Sequence, residues 1–106
     1  MLISGGENIY PAEVENMLLG HPAVADAAVI GLPSPKWGEV PLAVVVAKKG
    51  TTLESAELLA WCKGRLATFK LPKAAVVVAE IPRNPSGKIL KRVLREQYLD
   101  KVRAPE

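Results

Sequence analysis

The sequence predicts an α+β domain, a small three-stranded sheet covered by helices. Two β-branched runs, AAVIGLP (27–33) and VPLAVVVAKKG (40–50), flank a Pro-Ser-Pro break. A third apolar run, KAAVVVAEI (73–81), follows later, and stretches with helical spacing stand before, between and after these strands. At 106 residues the chain suits one domain, 1–106. A domain of that size buries somewhat over ~60% of its unfolded surface, enough for a modest core without staples.

Residues 11–19, PAEVENMLL, open with a proline suited to a first helical turn, place Val14, Met17 and Leu18 on one face, and stop at Gly20. The two β-branched runs are expected to pair as neighbouring strands. Residues 53–66, LESAELLAWCKGRL, carry Leu59, Cys62 and Leu66 at helical spacing, and the pattern ends before Pro72. The run 73–81 reads as a third, well-buried strand. In residues 89–99, ILKRVLREQYL, four-residue steps pair Ile89 with Val93 and Leu90 with Leu94, predicting a helix with these four facing inward. Residues 100–106 are expected to fray.

Composition excludes several functions. The lone Cys62 rules out an internal disulfide, and with His21 it makes too few ligands for a zinc cluster, which favours a cytoplasmic location. The longest apolar runs, LAVVVA (42–47) and AAVVVA (74–79), fall far short of the ~18 residues of a membrane span. The N-terminus lacks the pattern of a secretory signal. The net charge of +3 is modest, yet Arg83, Lys88, Lys91, Arg92 and Arg95 fall between 82 and 95 with no acid among them.

Two segments carry more chemistry. In ISGGENIYPAEVE (3–15) the paired Gly5 and Gly6 allow backbone conformations, or a close approach, that a side chain would block; a tight turn leading into the helix is the plainer reading. In PRNPSGKILKRVLR (82–95) prolines fix φ and Gly87 relaxes it, so Lys88 is presented in a set direction. The Ser-Gly-Lys triplet is not a phosphate-cradling loop. That pattern needs glycine where Pro82 stands and Ser or Thr where Ile89 stands. What remains is a cation on a structured loop, available to an anion or simply solvated.

Taken together, ISGGENIYPAEVE and, further on, IPRNPSGKILKRVLR resemble the C-terminal domain of the adenylate-forming superfamily, specifically the AMP-forming acyl-CoA synthetases. HPAVADAAVIGLP, PSPKWGEVPLAVVV and LATFKLPK are similar to that family's intervening segments, so the resemblance covers essentially the whole chain. It implies a two-step ligase. A carboxylate attacks the α-phosphate of ATP, with Mg2+ expected beside the nucleotide, to give an acyl-adenylate and pyrophosphate; the thiol of CoA then displaces AMP. The resemblance further implies a partner, the N-terminal domain that binds ATP and the carboxylic acid, which is absent here. The present chain corresponds to the small lid that rotates between the two steps, begins just after the hinge, and is expected to be inactive alone. A cytoplasmic enzyme of fatty acid metabolism is the setting implied.

Residue by residue, Lys88 matches the family's adenylation lysine, and Gly5 and Gly6 match the loop lining the tunnel for the pantetheine arm of CoA. Asn8 stands where relatives contact nucleotide or acyl-adenylate. Trp37 and Phe69 match places near the CoA nucleotide, where an aromatic face can stack on adenine; core packing explains them equally well. Leu71 departs from relatives that have a basic residue there. Three other readings stay open: a carrier-protein-loading adenylation domain, whose end segment reads closer to NGKVDR; a non-catalytic anion-binding or interaction module; and a solvated basic helix. A nucleic-acid-binding role is not expected, because no binding fingerprint or interleaved aromatics accompany the basic residues.

Overall fold

The computed structural model describes residues 2–98. Residues 100–106, and Leu99 at the end of the third predicted helix, lie outside them. The elements are β1 (Leu2–Ser4), β2 (Glu7–Ile9), α1 (Pro11–Leu19), β3 (Val24–Ser34), β4 (Gly38–Ala47), α2 (Ser55–Cys62), a 3-10 turn (Thr68–Lys70), β5 (Ala74–Val77) and α3 (Lys91–Tyr98). The class is α+β, with the expected strands and helices in the expected order. The sheet is larger than three strands, however. β1 and β2 add a hairpin, giving five strands in the order β2-β1-β4-β3, with β5 also paired to β4.

β4 is the central strand, and β3 pairs with it antiparallel from Val24↔Ala47 to Ser34↔Gly38. β5 runs parallel to β4, from Leu42↔Ala74 to Val45↔Val77. Parallel neighbours need a long crossover, and α2 with the 3-10 turn lies within it. The β1–β2 hairpin touches β4 through Ser4↔Gly38.

Why β3 and β4 are apolar throughout, instead of alternating, follows from the two cores they separate. On one face Ala27, Val29, Ala43 and Val45 meet Val14 and Leu18 of α1 and Leu58 and Cys62 of α2. On the other, Ala28, Ile30, Val40, Leu42 and Val44 meet Ile81 and Leu94. Each buried branched side chain contributes about 1.5–3 kcal/mol relative to exposure, so the sheet is stabilised from both sides.

Local chemistry sets the element ends. Pro11 occupies the first turn of α1, where its missing N–H costs nothing, and Gly20 follows the last helical residue. α2 stops at Cys62, earlier than the periodicity suggests, because Gly64 takes a positive φ of 82° and turns the chain. Leu58 is the buried partner of Cys62, while Leu59 is only partly covered. β5, expected to be well buried, is half-exposed, with Val77 at 40%. α3 begins at Lys91, since Ile89 is held in a β-bridge to Arg83. Only Leu94 of the helix is fully buried; Val93, expected to face inward, is 36% exposed. Cys62 is enclosed, and burial pushes its thiol pKa up against the lowering effect of Arg65, as suits an inert packing residue.

Leu94 is therefore the side chain that fastens α3 to the sheet. Leu94→Ala is expected to destabilise the 106-residue chain by about 2–5 kcal/mol, read as a lower urea midpoint with an unchanged slope; a shift under about a tenth of that range would show that α3 is not docked through it.

Candidate functional site

The segment after β5 folds into a closed loop with Lys88 near its tip. Leu90 N–H donates to the Pro82 carbonyl at 2.9 Å, and Asn84 N–H donates to the Lys88 carbonyl at 2.9 Å. Gly87 N–H returns to the Asn84 carbonyl at 2.9 Å, closing a turn with Pro85 in its second position. Gly87 follows with φ 87°, the left-handed conformation that such a hairpin loop requires and that glycine adopts without strain. The Asn84 side chain fills the loop: its Oδ1 accepts from Ser86 N–H at 3.1 Å, Ser86 Oγ–H at 2.8 Å and Lys88 N–H at 2.9 Å. Lys88 thus has both backbone polar groups tied to Asn84.

Two ion pairs attach this loop and the start of α3 to β3 and α1. The Arg83 guanidinium donates through Nη2 to the Asp26 carboxylate at 2.7 Å and through Nη1 to the Gly87 carbonyl at 2.8 Å. Lys91 Nζ lies 3.0 Å from Glu15 Oε2, which also accepts from Val29 N–H at 2.8 Å. Arg92 pairs with Glu96 one turn along its helix at 3.5 Å. The Lys88 side chain is different. It is exposed, and among the described residues its ammonium forms no ion pair, so the charge faces outward.

Gly5 and Gly6 form the two-residue turn between β1 and β2, where Ser4 pairs with Glu7. Both have positive φ, 57° and 82°, as the tight hairpin turn matching strand twist demands. Gly5 N–H donates to the Trp37 carbonyl at 2.8 Å, and a Cβ on Gly5 would meet Trp37 Cε3 at 2.7 Å. The missing side chain lets the hairpin lie against the indole. A Cβ on Gly6 would meet nothing within 4 Å.

Gly5 and Trp37 share a cleft of about 370 Å3 with Phe69, closed by Ser4, Glu7, Thr68 and Lys73. Trp37 is set by the β3–β4 turn, its backbone N–H donating to Ser34 Oγ at 3.1 Å, and Lys36 Nζ lies 5.1 Å from the ring centroid. Phe69 sits on the 3-10 turn, which is tied to α1 by the 2.9 Å pair between Lys70 and Glu13. The structure therefore brings three of the six predicted residues together and leaves three aside. Gly6 is at the exposed turn tip, and Asn8 is exposed on β2 opposite Ile3; neither lines the cleft. Leu71 packs against the α1/α2 core.

Lys88 is not in this group. Its loop is anchored at Asp26, near the start of β3, whereas the cleft lies at Ser34 and Gly38, where β3 turns into β4. Asp26 and Ser34 stand eight residues apart on β3, roughly 26 Å of strand at ~3.3 Å per residue. Sequence reasoning overlooked Asn84, Arg83 with Asp26, and the cleft residues Thr68 and Lys73. Only Asn84 had a local signal, an Asn-Pro-Ser-Gly order whose first side chain can bond backbone two residues on.

Known proteins share this arrangement of elements. The family described as AMP-binding enzyme C-terminal domain matches residues 13–88. A long-chain-fatty-acid–CoA ligase, FadD13 of Mycobacterium tuberculosis, is 55% identical over 98 residues, covering 92% of this chain and 19% of that protein. ATP-bound MatB from Rhodopseudomonas palustris superposes with a TM-score of 0.89 at 45% identity, covering 94% of this chain and 20% of that one. The o-succinylbenzoate CoA synthetase MenE from Bacillus subtilis, in complex with the acyl-adenylate intermediate OSB-AMP, gives a TM-score of 0.81 at 47% identity over 98% of this chain and 20% of that one. This chain spans about a fifth of the length of these relatives.

Proposed function

Since this chain belongs to the AMP-binding enzyme C-terminal domain family, we propose that it is the lid of an AMP-forming acyl-CoA synthetase. In that reaction ATP and a carboxylic acid give an acyl-adenylate, and CoA then gives the thioester. The observation that carries the reading is the separation of an outward-facing lysine on a locked loop from an aromatic cleft at the other end of the same strand. A rotating lid needs two working faces.

At the first face, the Lys88 ammonium bridges the attacking carboxylate oxygen and the α-phosphate, offsetting the negative charge that grows in the transition state. A loop closed by Asn84 supports this role, because a donor fixed beforehand needs no reorganisation during reaction. At the second face, Gly5 and Gly6 leave room for the pantetheine arm. Trp37 and Phe69 offer apolar faces to the CoA adenine, with Lys36 and Lys73 nearby for phosphate. Asn8 is proposed to meet the acyl-adenylate from its exposed position on β2.

ATP, CoA and the carboxylic acid are substrates of the assembled enzyme. Mg2+ is expected with ATP in the assembled enzyme; among the described residues no three His, Cys, Asp or Glu side chains cluster. No described helix is long and apolar enough to cross a membrane. The partner is an N-terminal domain holding the ATP and acyl pockets.

Joined to the N-terminal part of the 55%-identical M. tuberculosis ligase, this domain is expected to restore ATP- and carboxylate-dependent acyl-CoA formation. The 106-residue chain alone is expected to form none. A folded graft that makes neither acyl-adenylate nor thioester would overturn the reading.

A further inference from the structure

We infer that Arg83 and Asp26 are positioning residues, which fix the direction of the Lys88 loop relative to the sheet. The inference rests on the proposed role of Lys88 in adenylation and adds the device that aims it.

Asn84 closes the loop internally, but internal hydrogen bonds fix only its shape. A hairpin loop of fixed shape can still swing about its stem. Across the stem the Arg83–Ile89 bridge and the Leu90 N–H to Pro82 carbonyl bond join one arm to the other. Neither joins the loop to the sheet. Arg83 does both at once: one guanidinium nitrogen holds the Gly87 carbonyl, immediately before Lys88, and the other holds Asp26 on β3. The planar fork spans the two acceptors rigidly, which the single ammonium of a lysine cannot do in the same geometry.

Asp26 is itself fixed, its Oδ1 accepting from Ala27 N–H at 2.9 Å at the head of the buried run of β3. The path from the core to the lysine is therefore short: Ala27, Asp26, Arg83, Gly87, Lys88. The pair is separated by 57 residues in sequence, so it serves no local helix or turn. Both side chains are about a third exposed, at 38% and 30%. Exposed pairs contribute little to stability, whereas small errors in aim cost rate steeply, up to ~10²-fold for about 1 Å. A stabilising role alone would be a weak use of this geometry.

The test measures each half-reaction in the grafted enzyme. Asp26→Asn and Arg83→Ala are each expected to lower the rate of acyl-adenylate formation about tenfold to a hundredfold. KM for ATP and thioester formation from supplied acyl-adenylate should stay unchanged. Arg83→Lys, which keeps the charge but not the fork, should fall between the unsubstituted enzyme and Arg83→Ala. In a Lys88→Ala background the same substitutions should cost nothing further, because there is no ammonium left to aim.

Equal loss in both half-reactions, or losses that add to that of Lys88→Ala, would overturn the inference and leave Arg83 a structural residue. If Lys88→Ala abolishes adenylation while the Arg83 and Asp26 variants are unaffected, the inference fails and the proposed function stands. If Lys88→Ala leaves adenylation intact, both fail. Should Arg83→Ala not fold, Asp26→Asn, which keeps the side-chain size and a hydrogen-bond acceptor, decides the matter alone.

Discussion

Lys88→Ala in the grafted enzyme is expected to slow acyl-adenylate formation by ~10²–10³-fold, the usual cost of removing one fixed donor from developing oxyanion charge. In free energy this is about 2.7–4 kcal/mol of transition-state stabilisation. Stability should hardly change, since Lys88 is exposed and its ammonium has no ion pair among the described residues. The same variant, supplied with ready-made acyl-adenylate and CoA, should form thioester at the unmodified rate. Pyrophosphate release and thioester formation in single turnovers separate the steps. Lys88→Arg restores charge but not the compact ammonium, so it should recover only part of the rate.

Gly6→Leu should do the opposite, slowing thioester formation about tenfold or more and leaving adenylation near normal. Gly6 is the better probe of the two glycines. A Cβ on Gly5 would strike Trp37 at 2.7 Å and disturb the cleft wall, whereas the space around Gly6 is open, so a side chain there projects outward into the path proposed for pantetheine. The left-handed backbone at Gly6 adds a cost of about 1–2 kcal/mol to any L-residue. Gly6→Asn, which tolerates that conformation, serves as the control with a shorter side chain. Unchanged kinetics with CoA in a folded Gly6→Leu enzyme would remove the glycine turn from the tunnel.

The parts of the fold most legible in the sequence were those with local punctuation. Pro11 and Gly20 bracket α1, and the β-branched runs marked β3 and β4 because strands buried on both faces carry unbroken apolar side chains. The hairpin of β1 and β2 escaped notice because three-residue strands give no periodicity. Its Gly5–Gly6 turn was visible, the strands were not. Of the four residues expected to face inward, Leu94 is buried and Val93 is 36% exposed, and Ile89 lies in a β-bridge to Arg83 instead of in α3, a contact that no helical pattern reveals.

The site divides in the same way. The rigidity of the Lys88 loop could be read from Pro85, Gly87 and their neighbours, since turn residues act over a few positions. The cleft could not, because Gly5, Trp37 and Phe69 come from three distant segments that only the sheet and the crossover bring together. The Arg83–Asp26 pair was equally hidden, its partners lying 57 residues apart.

On the proposed function, one small lid serves two reactions from opposite ends of β3. Single-turnover rates of both half-reactions, measured side by side for Lys88→Ala and Gly6→Leu, test it most directly. The expected pattern is crossed, with adenylation lost and thioester formation kept in the first variant and the reverse in the second. Both variants slowing the same step would contradict it.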